Sequence, residues 1–415
     1  MATHRFIARQ PVLDRYERVY AYELLFPPGE DEIHPPMNGG QAAEYASAGI
    51  PAFEDIDEIT AGARAFIKCS HRVLISGGAT GLPHDRVILE LLATGKADEE
   101  VAAACRGLKD AGFLIALENF QGAGDEPLAD VADIIKLDVT AFTERTQWLL
   151  IRKYRPRGAI FAAENVEKRA QFQAALQQGF SYFQGQFFCQ PQPYSTSEIT
   201  PTKMVYLLVL RAVTRPEFNA QEVANAIKHD LALSYKLLRF LNSARFAFRS
   251  QIKSIRHALL LLGQNEIRKW IGLVSVAALG EGAPPILVTM ALIRAAFCES
   301  LALLVGAPKR QSDYFFLGLL SSIDVLLGRP MRPVLAELPL APDVSAALVG
   351  EQNPLRDVLQ AVISYEQGNW QECFQLAKKL ALKEEKLCEL YMQALRWSRE
   401  LSQQEQDGPA RSPYS

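Results

Sequence analysis

A chain of 415 residues is too long for one ordinary core and calls for two domains. With 49% hydrophobic and 22% charged residues it has the composition of a soluble globular protein, and its six cysteines, scattered without a CxxC pair, favour a reducing cytoplasm over a disulfide framework. The net charge of −3 divides unevenly: residues 1–200 hold 19 Lys and Arg against 27 Asp and Glu, and residues 201–415 hold 25 against 20, as two units with different partners would.

The opening residues MATHRFIARQ contain no apolar core of a signal peptide, and the longest apolar runs, near Ala258–Leu262 and Leu301–Val305, are too short to span a bilayer. Phe6–Phe26 then reads as two strands, FIARQPVL and VYAYELLF, joined by a polar turn at Asp14–Arg18. A Pro-rich, acidic loop runs from Pro27 to Gly40, with short helices expected over Gln41–Ala48 and Asp55–Ala65. Ala65–Cys69 and Val87–Leu91 are buried-strand runs carrying Lys68 and Glu90, and Glu99–Ala111 has the spacing of an amphipathic helix. Leu114–Leu117 and Ile134–Leu137 are the next apolar strands, ending in Glu118-Asn119 and in Lys136 and Asp138. A helix over Thr143–Tyr154, a strand Gly158–Ala163 ending in Glu164-Asn165-Val166-Glu167, a helix Lys168–Gln178 and a strand-like FSYFQGQFFCQP close the first half. Repeated strand, polar end and helix predict a parallel α/β barrel, which displays its chemistry at the C-terminal ends of its strands.

Gln192–Lys203 is polar and Pro-containing and marks the boundary. Beyond it Met204–Val213, Ala220–Lys228, Ala232–Leu241, Ile255–Leu262, Glu266–Leu279, Leu287–Val305 and Asp313–Leu327 carry apolar residues at helical spacing, with no convincing strand between them. Gly263 reads as a helix-ending residue and Asn265 as the cap of the helix from Glu266. Gln360–Glu400 reads as a final helical pair broken near Gly368-Asn369. The expected organisation is a barrel over residues 1–194, a linker 195–203, a helical domain 204–401 and a disordered tail 402–415.

The motifs Glu23-Leu24-Leu25, ELLA from Glu90, LENFQGAG from Leu117, IKLD ending at Asp138, AENVE from Ala163 and FQG at Phe183–Gly185 resemble, in that order, those of the EAL domain, the cyclic-di-GMP phosphodiesterases. The resemblance implies a TIM-like barrel that opens with a hairpin. It also implies two divalent cations held by Glu23, by an Asn where Lys68 stands, by Glu90 and by paired aspartates where Glu118 and Asn119 stand. Lys136 would orient the attacking water and Glu164 complete the site. An ammonium at Lys68 has donors where a cation needs an oxygen, Asn119 removes a charge, and Glu118 lengthens a ligand by a methylene. Pro27 stands where an Arg contacts substrate, Ala93 where ELTE has its second carboxylate, and Asn165 where AEGVE has its Gly.

On these substitutions the expectation is a non-catalytic regulatory protein with no metal or cofactor, its catalytic residues Glu23, Glu90, Glu118, Lys136 and Glu164 vestigial. Glu23, Glu90 and Glu164 would instead form a buried salt-bridge cluster with Lys68 and Lys136. Any ligand would meet Glu23, Lys136, Asp138, Glu164 and Gln184, although the loss of metal and of the Arg argues against cyclic-di-GMP. The alternatives are cyclic-di-GMP binding without hydrolysis and a weak Mg²⁺- or Mn²⁺-dependent phosphodiesterase.

The run IKHDLALSYKLLRFLNSARFAFRSQIKSIRHALLLLGQNEIRKWI resembles the all-α, HD-related HDOD domain, with Asp230, Leu241-Asn242-Ser243, Ile252, Ile255, Ala258 and Leu262-Gly263 as its marks. HD phosphohydrolases carry a metal-binding His-Asp where this chain has Ser321-Ser322, and His229-Asp230 reads as a polar helix end. Residues 201–300 hold 13 Lys and Arg against 6 Asp and Glu, but Arg239, Arg245, Arg249, Lys253, Arg256, Arg268 and Lys269 read as solvated faces, not as a nucleic-acid surface. Over nearly the whole chain the pattern resembles the EAL–HDOD signalling proteins of bacteria. That resemblance implies a cytoplasmic protein whose partners are other signalling proteins, or a second copy of itself, without membrane or nucleic acid.

Overall fold

The computed structural model describes residues 7–27, 56–93, 99–122, 124–190, 200–215, 252 and 255–406. Its residues fall into two compact units, Met1–Gln190 with Tyr365–Trp370, and Pro191–Ser364 with Gln371–Ser415.

The first unit is a closed eight-stranded barrel: β1 (Ala8–Asp14), β2 (Val19–Leu25), β3 (Arg64–Lys68), β4 (Val87–Leu92), β5 (Leu114–Glu118), β6 (Ile134–Asp138), β7 (Ile160–Glu164) and β8 (Tyr182–Gln184). β2 to β8 pair in parallel, and β1 runs antiparallel to both of its neighbours, β2 and β8. The tight turn at Asp14–Arg18 makes the opening hairpin, with the Asp14 carboxylate accepting from the backbone N–H groups of Tyr16 and Arg18 at 2.8 and 2.9 Å. The strands between are long enough only for a short parallel barrel, and their connections include the helices Glu99–Asp110, Glu126–Val131, Glu144–Tyr154 and Arg169–Gln178.

Period-two alternation decides what fills the barrel. Val12, Ala21, Phe66, Ile88, Ala116, Ile134 and Ala162 form one buried apolar layer, with Tyr182 packed against it. Phe66 and two isoleucines offset three alanines, so large and small side chains share the layer.

After the barrel the described residues form helices and no strand, including Pro201–Thr214, Ile255–Leu279, Pro285–Leu304, Gln311–Leu319, Ile323–Leu327, Pro354–Glu366, Trp370–Lys379 and Glu384–Gln406. Gly263 leaves the helical conformation inside Ile255–Leu279, at φ 78° and ψ 170°, where a break was expected. Four expectations need correction. Helix Pro201–Thr214 begins inside the expected linker, because Pro201 suits a first turn and the Thr200 hydroxyl caps the Lys203 N–H. The last segment is three helices, with a second break at 380–383 where Ala381 takes φ 55°. Helix Glu384–Gln406 also runs past the expected start of the tail at residue 402.

Fourth, the expected shortage of apolar length does not hold for Pro285–Leu304. Its 20 residues reach a mean hydropathy of 1.8, long and apolar enough to cross a membrane by length and composition, but 61% of that window is buried in the fold. Buried Arg294, near its middle, donates to the hydroxyls of Ser321 and Ser322 at 3.3 and 3.1 Å, the two residues that stand where HD enzymes carry His-Asp. Of the basic residues of 201–300, Arg268 donates to the carbonyls of Val213 and Arg215, both at 2.9 Å, and Lys269 pairs with Glu266 and Glu299. Trp270 is core. The loop after Pro27, the helices over 41–48, 220–228 and 232–241, the pair His229-Asp230, the motif 241–243, and Arg239, Arg245, Arg249 and Lys253 lie outside the described residues.

Candidate active site at the barrel mouth

Two residues beyond the apolar layer, on the same face of each strand, the alternation comes round again. Glu23 follows Ala21, Lys68 follows Phe66, Glu90 follows Ile88 and Glu118 follows Ala116. Lys136 follows Ile134, Glu164 follows Ala162 and Gln184 follows Tyr182, and on antiparallel β1 the place is Gln10, paired in register with Glu23. Every strand therefore contributes one polar side chain to a ring at the C-terminal end of the parallel strands, where such barrels carry their chemistry. Four carboxylates and two ammonium groups leave the ring with two negative charges when all are ionised.

Lys136 sits at the centre, fully buried, with Nζ 2.8 Å from Glu23 Oε2, 2.5 Å from Glu90 Oε1 and 2.8 Å from Glu164 Oε1. It lies 5.4 Å from the centroid of Phe66 in the layer below. Lys68, partly open to solvent, bridges Glu23 Oε1 at 3.1 Å and Glu118 Oε1 at 2.7 Å. Gln184 donates through Nε2 to Glu23 Oε2 at 2.7 Å and to Gln10 Oε1 at 2.9 Å. The expected buried salt-bridge cluster is therefore present, and Lys68 joins it through Glu118 as well as Glu23.

The charges polarise one another unequally. Burial disfavours the Glu23 carboxylate, but the Lys136 and Lys68 ammonium groups outweigh burial and hold its pKa at about 2. Burial, reinforced by the Glu23 charge, pushes Glu90 up to about 8. Burial also raises Glu164 against the pull of Lys136. Burial works against the Lys136 cation, yet Glu164, Glu23 and Glu90 keep its pKa well above the ordinary lysine value, and Glu23, Glu90 and Glu118 do the same for Lys68. Burial thus keeps a proton on Glu90 near neutral pH, and once a cation displaces it the ring offers more negative charge than its two lysines neutralise.

A divalent cation fits that surplus. Ligand oxygens of Glu23, Glu90 and Glu118 all lie within 4.8 Å of one another. Glu90 Oε2 is buried and without a hydrogen-bond partner, an orphan that a hard cation would complete.

Two expected site residues stand apart from the ring. Asp138 accepts from the Thr140 N–H at 2.7 Å, from its hydroxyl at 2.6 Å and from Asn165 Nδ2 at 2.9 Å, which holds the turn beyond β6. Asn119 is exposed, takes φ 56° and receives Gln121 Nε2 on Oδ1 at 2.9 Å. Asn165 has φ 57°, a left-handed conformation that asparagine tolerates where the resembling motif has glycine. Gln10 was missed, because a lone Gln in an opening strand has no motif around it. Only its pairing with Glu23 and Gln184 reveals it.

A barrel with this mouth, followed by a helical domain, defines the EAL–HDOD class of protein. The HDOD domain matches residues 199–337. The chain is 33% identical over 405 residues to the uncharacterized protein YuxH of Bacillus subtilis, covering 95% of this chain and 98% of that one. It is 30% identical over 402 residues to the cyclic di-GMP phosphodiesterase CdgJ of Vibrio cholerae, covering 96% and 93%. Among solved structures it is similar to the Bacillus subtilis YkuI protein, with an EAL domain, in complex with substrate c-di-GMP and calcium. That likeness has a TM-score of 0.37 and 17% identity and covers 62% of this chain and 72% of that one. This chain belongs to the family of YuxH and CdgJ, and in it an EAL-type barrel is followed by an HDOD domain.

The expectation of a protein that is not an enzyme is overturned by CdgJ, a phosphodiesterase related along nearly its whole length. The physical error lay in weighing each substitution alone. The longer Glu118 side chain still brings an oxygen within reach of Glu23 and Glu90, so the carboxylate triplet survives the change.

Proposed function

We propose that the barrel is a divalent-metal-dependent phosphodiesterase acting on cyclic-di-GMP. The observation that carries this reading is the convergence of Glu23, Glu90 and Glu118, with one buried Glu90 oxygen left unsatisfied. The relationship to CdgJ supports the choice of substrate. These three carboxylates would hold the cation, which when bound supplies Lewis-acid stabilisation of the phosphoryl charge.

The chain's own residues do the rest. Buried Lys136 fixes three carboxylates in one geometry, so the ring is arranged before substrate arrives. Glu164, partly exposed and with its pKa raised, is placed to take the proton of a water attacking phosphorus. The attack breaks one P–O bond to a ribose oxygen, which leaves with a proton, and opens the cyclic dinucleotide to a linear one. Gln184 donates to the same Glu23 oxygen as Lys136 and also to Gln10, which ties Glu23 to the opening strand. The helical domain adds, in this reading, contacts to other signalling proteins in the cytoplasm.

The test is incubation of the full chain with cyclic-di-GMP and Mn²⁺ or Mg²⁺, followed by chromatography of the products. Metal-dependent linear dinucleotide is expected, abolished by chelator and in Glu90→Gln. Binding of the nucleotide with no product at any metal concentration overturns the reading.

A further inference from the structure

The two lysines of the ring are not equivalent. Lys136 is fully buried and donates to three carboxylates, so each of its three protons has an acceptor and its stem has no path to solvent. Lys68 donates to two carboxylates, and its side chain is 30% exposed. Its two acceptors, Glu23 and Glu118, are two of the three carboxylates that converge for a cation. The third, Glu90, is bonded to Lys136 through Oε1, and its Oε2 remains unsatisfied.

An ammonium and a divalent cation cannot share these oxygens. The lysine has no acceptor to offer a metal, and two like charges a few ångströms apart repel strongly at a partly buried site. Lys68 also has what an exchanging group needs. Its four-carbon stem is flexible, it leaves from the end of β3, and its side chain is already partly exposed, so an outward swing takes the ammonium toward water. Lys136 has none of these properties.

We propose that Lys68 is a tethered counter-ion of the metal site. It occupies Glu23 and Glu118 while the metal is absent, and it swings out to the mouth when the metal enters. Resting on the metal-dependent reading above, this makes Lys68 a positioning residue that sets how much divalent cation the barrel needs. It also leaves a freed ammonium beside the entering phosphate, on a chain that has Pro27 where the resembling family has its arginine.

Two measurements on the full chain test the exchange. The first is Mn²⁺ binding followed by electron paramagnetic resonance, with Lys68→Met compared with the parent chain. Removal of the competitor is expected to tighten Mn²⁺ binding by on the order of tenfold. The second reads the parent chain directly, by acylating surface amines and quantifying each lysine by mass spectrometry with and without Mn²⁺. Acylation of Lys68 is expected to rise when Mn²⁺ is added, and that of buried Lys136 to stay negligible in both states.

Unchanged or weaker Mn²⁺ binding in Lys68→Met, or metal binding to the parent chain with no change in Lys68 acylation, overturns the exchange and leaves the phosphodiesterase reading intact. Failure of both chains to bind Mn²⁺ overturns the metal centre and the exchange together. Exchange with no hydrolysis of cyclic-di-GMP supports this inference and sinks the enzymatic reading alone.

Discussion

Lys136 is the residue on which the mouth of the barrel depends. Removing it leaves Glu23, Glu90 and Glu164 facing one another in a buried site, and breaking a buried ionic cluster from one side costs roughly 3–5 kcal/mol. Lys136→Met is therefore expected to lower the denaturant midpoint of the barrel by a corresponding amount, measured by urea unfolding of the full chain. The ring also sets a pH dependence. Glu90 holds its proton up to about 8 in the fold against 4.5 ordinarily, so the folded state binds that proton more tightly than the unfolded one, and stability falls as pH rises from 4.5 to 8. Glu23 acts in the opposite sense: depressed to about 2, it contributes fully above 4.5 and loses its contribution as pH falls toward 2. The thermal midpoint of the metal-free protein is expected to drop between about pH 5 and 8, and Glu90→Gln to flatten that drop. That Glu23, Glu90, Lys136, Glu164 and Gln184 would share the barrel mouth was legible from short motifs. Gln10 was not, because its role comes from a partner 174 positions away.

Among the elements, helix Pro285–Leu304 and helix Gln311–Leu319 pack closest where Gly318 meets Arg294. A Cβ at residue 318 would lie 2.2 Å from the Arg294 carbonyl oxygen, backbone that cannot turn aside. Gly318→Ala is expected to destabilise the helical unit by about 1–3 kcal/mol or more, seen as a lowered midpoint in circular dichroism melting. In the barrel β3, β5, β6 and β7 were legible within a residue or two, because each is a short apolar run closed by a charged residue, whereas the strand-like run 180–191 holds only the three-residue strand Tyr182–Gln184. The break at Gly263 was legible as well, since glycine alone adopts its φ of 78° without strain. The second break, at Ala381, was hidden, because alanine is an ordinary helix former and nothing local marks its left-handed turn. The apolar stretch 285–304 was underestimated for another reason: Thr289, Arg294, Glu299 and Ser300 divide it by letter, but burial against neighbouring helices does not depend on an unbroken run.

At the scale of the molecule, Cys69, Cys105, Cys298, Cys373 and Cys388 are buried and Cys189 is half-buried, and none of the six is in a disulfide. Burial pushes Cys69 and Cys373 up to about 12, which keeps both as unreactive thiols at neutral pH. Titration with a thiol reagent is expected to modify at most one cysteine in the native protein and six after denaturation. Composition alone placed the chain in a disulfide-free class, and alternation of apolar and polar residues with intervening helices alone placed its first half in a parallel barrel. These are local properties: strand period, helix spacing and a charged residue at a strand end are written over five to fifteen positions, and each acts whatever lies elsewhere in the chain. The chemistry of the mouth is of another kind. Whether Lys68 lies against Glu90 or Glu118, whether the lengthened Glu118 still reaches its fellow carboxylates, and whether Asn119 belongs to the ring are decided by closure of eight strands. Closure brings residues as far apart as 10 and 184 to one plane, and only there do their charges fix one another's protonation and leave one oxygen of Glu90 waiting for a cation.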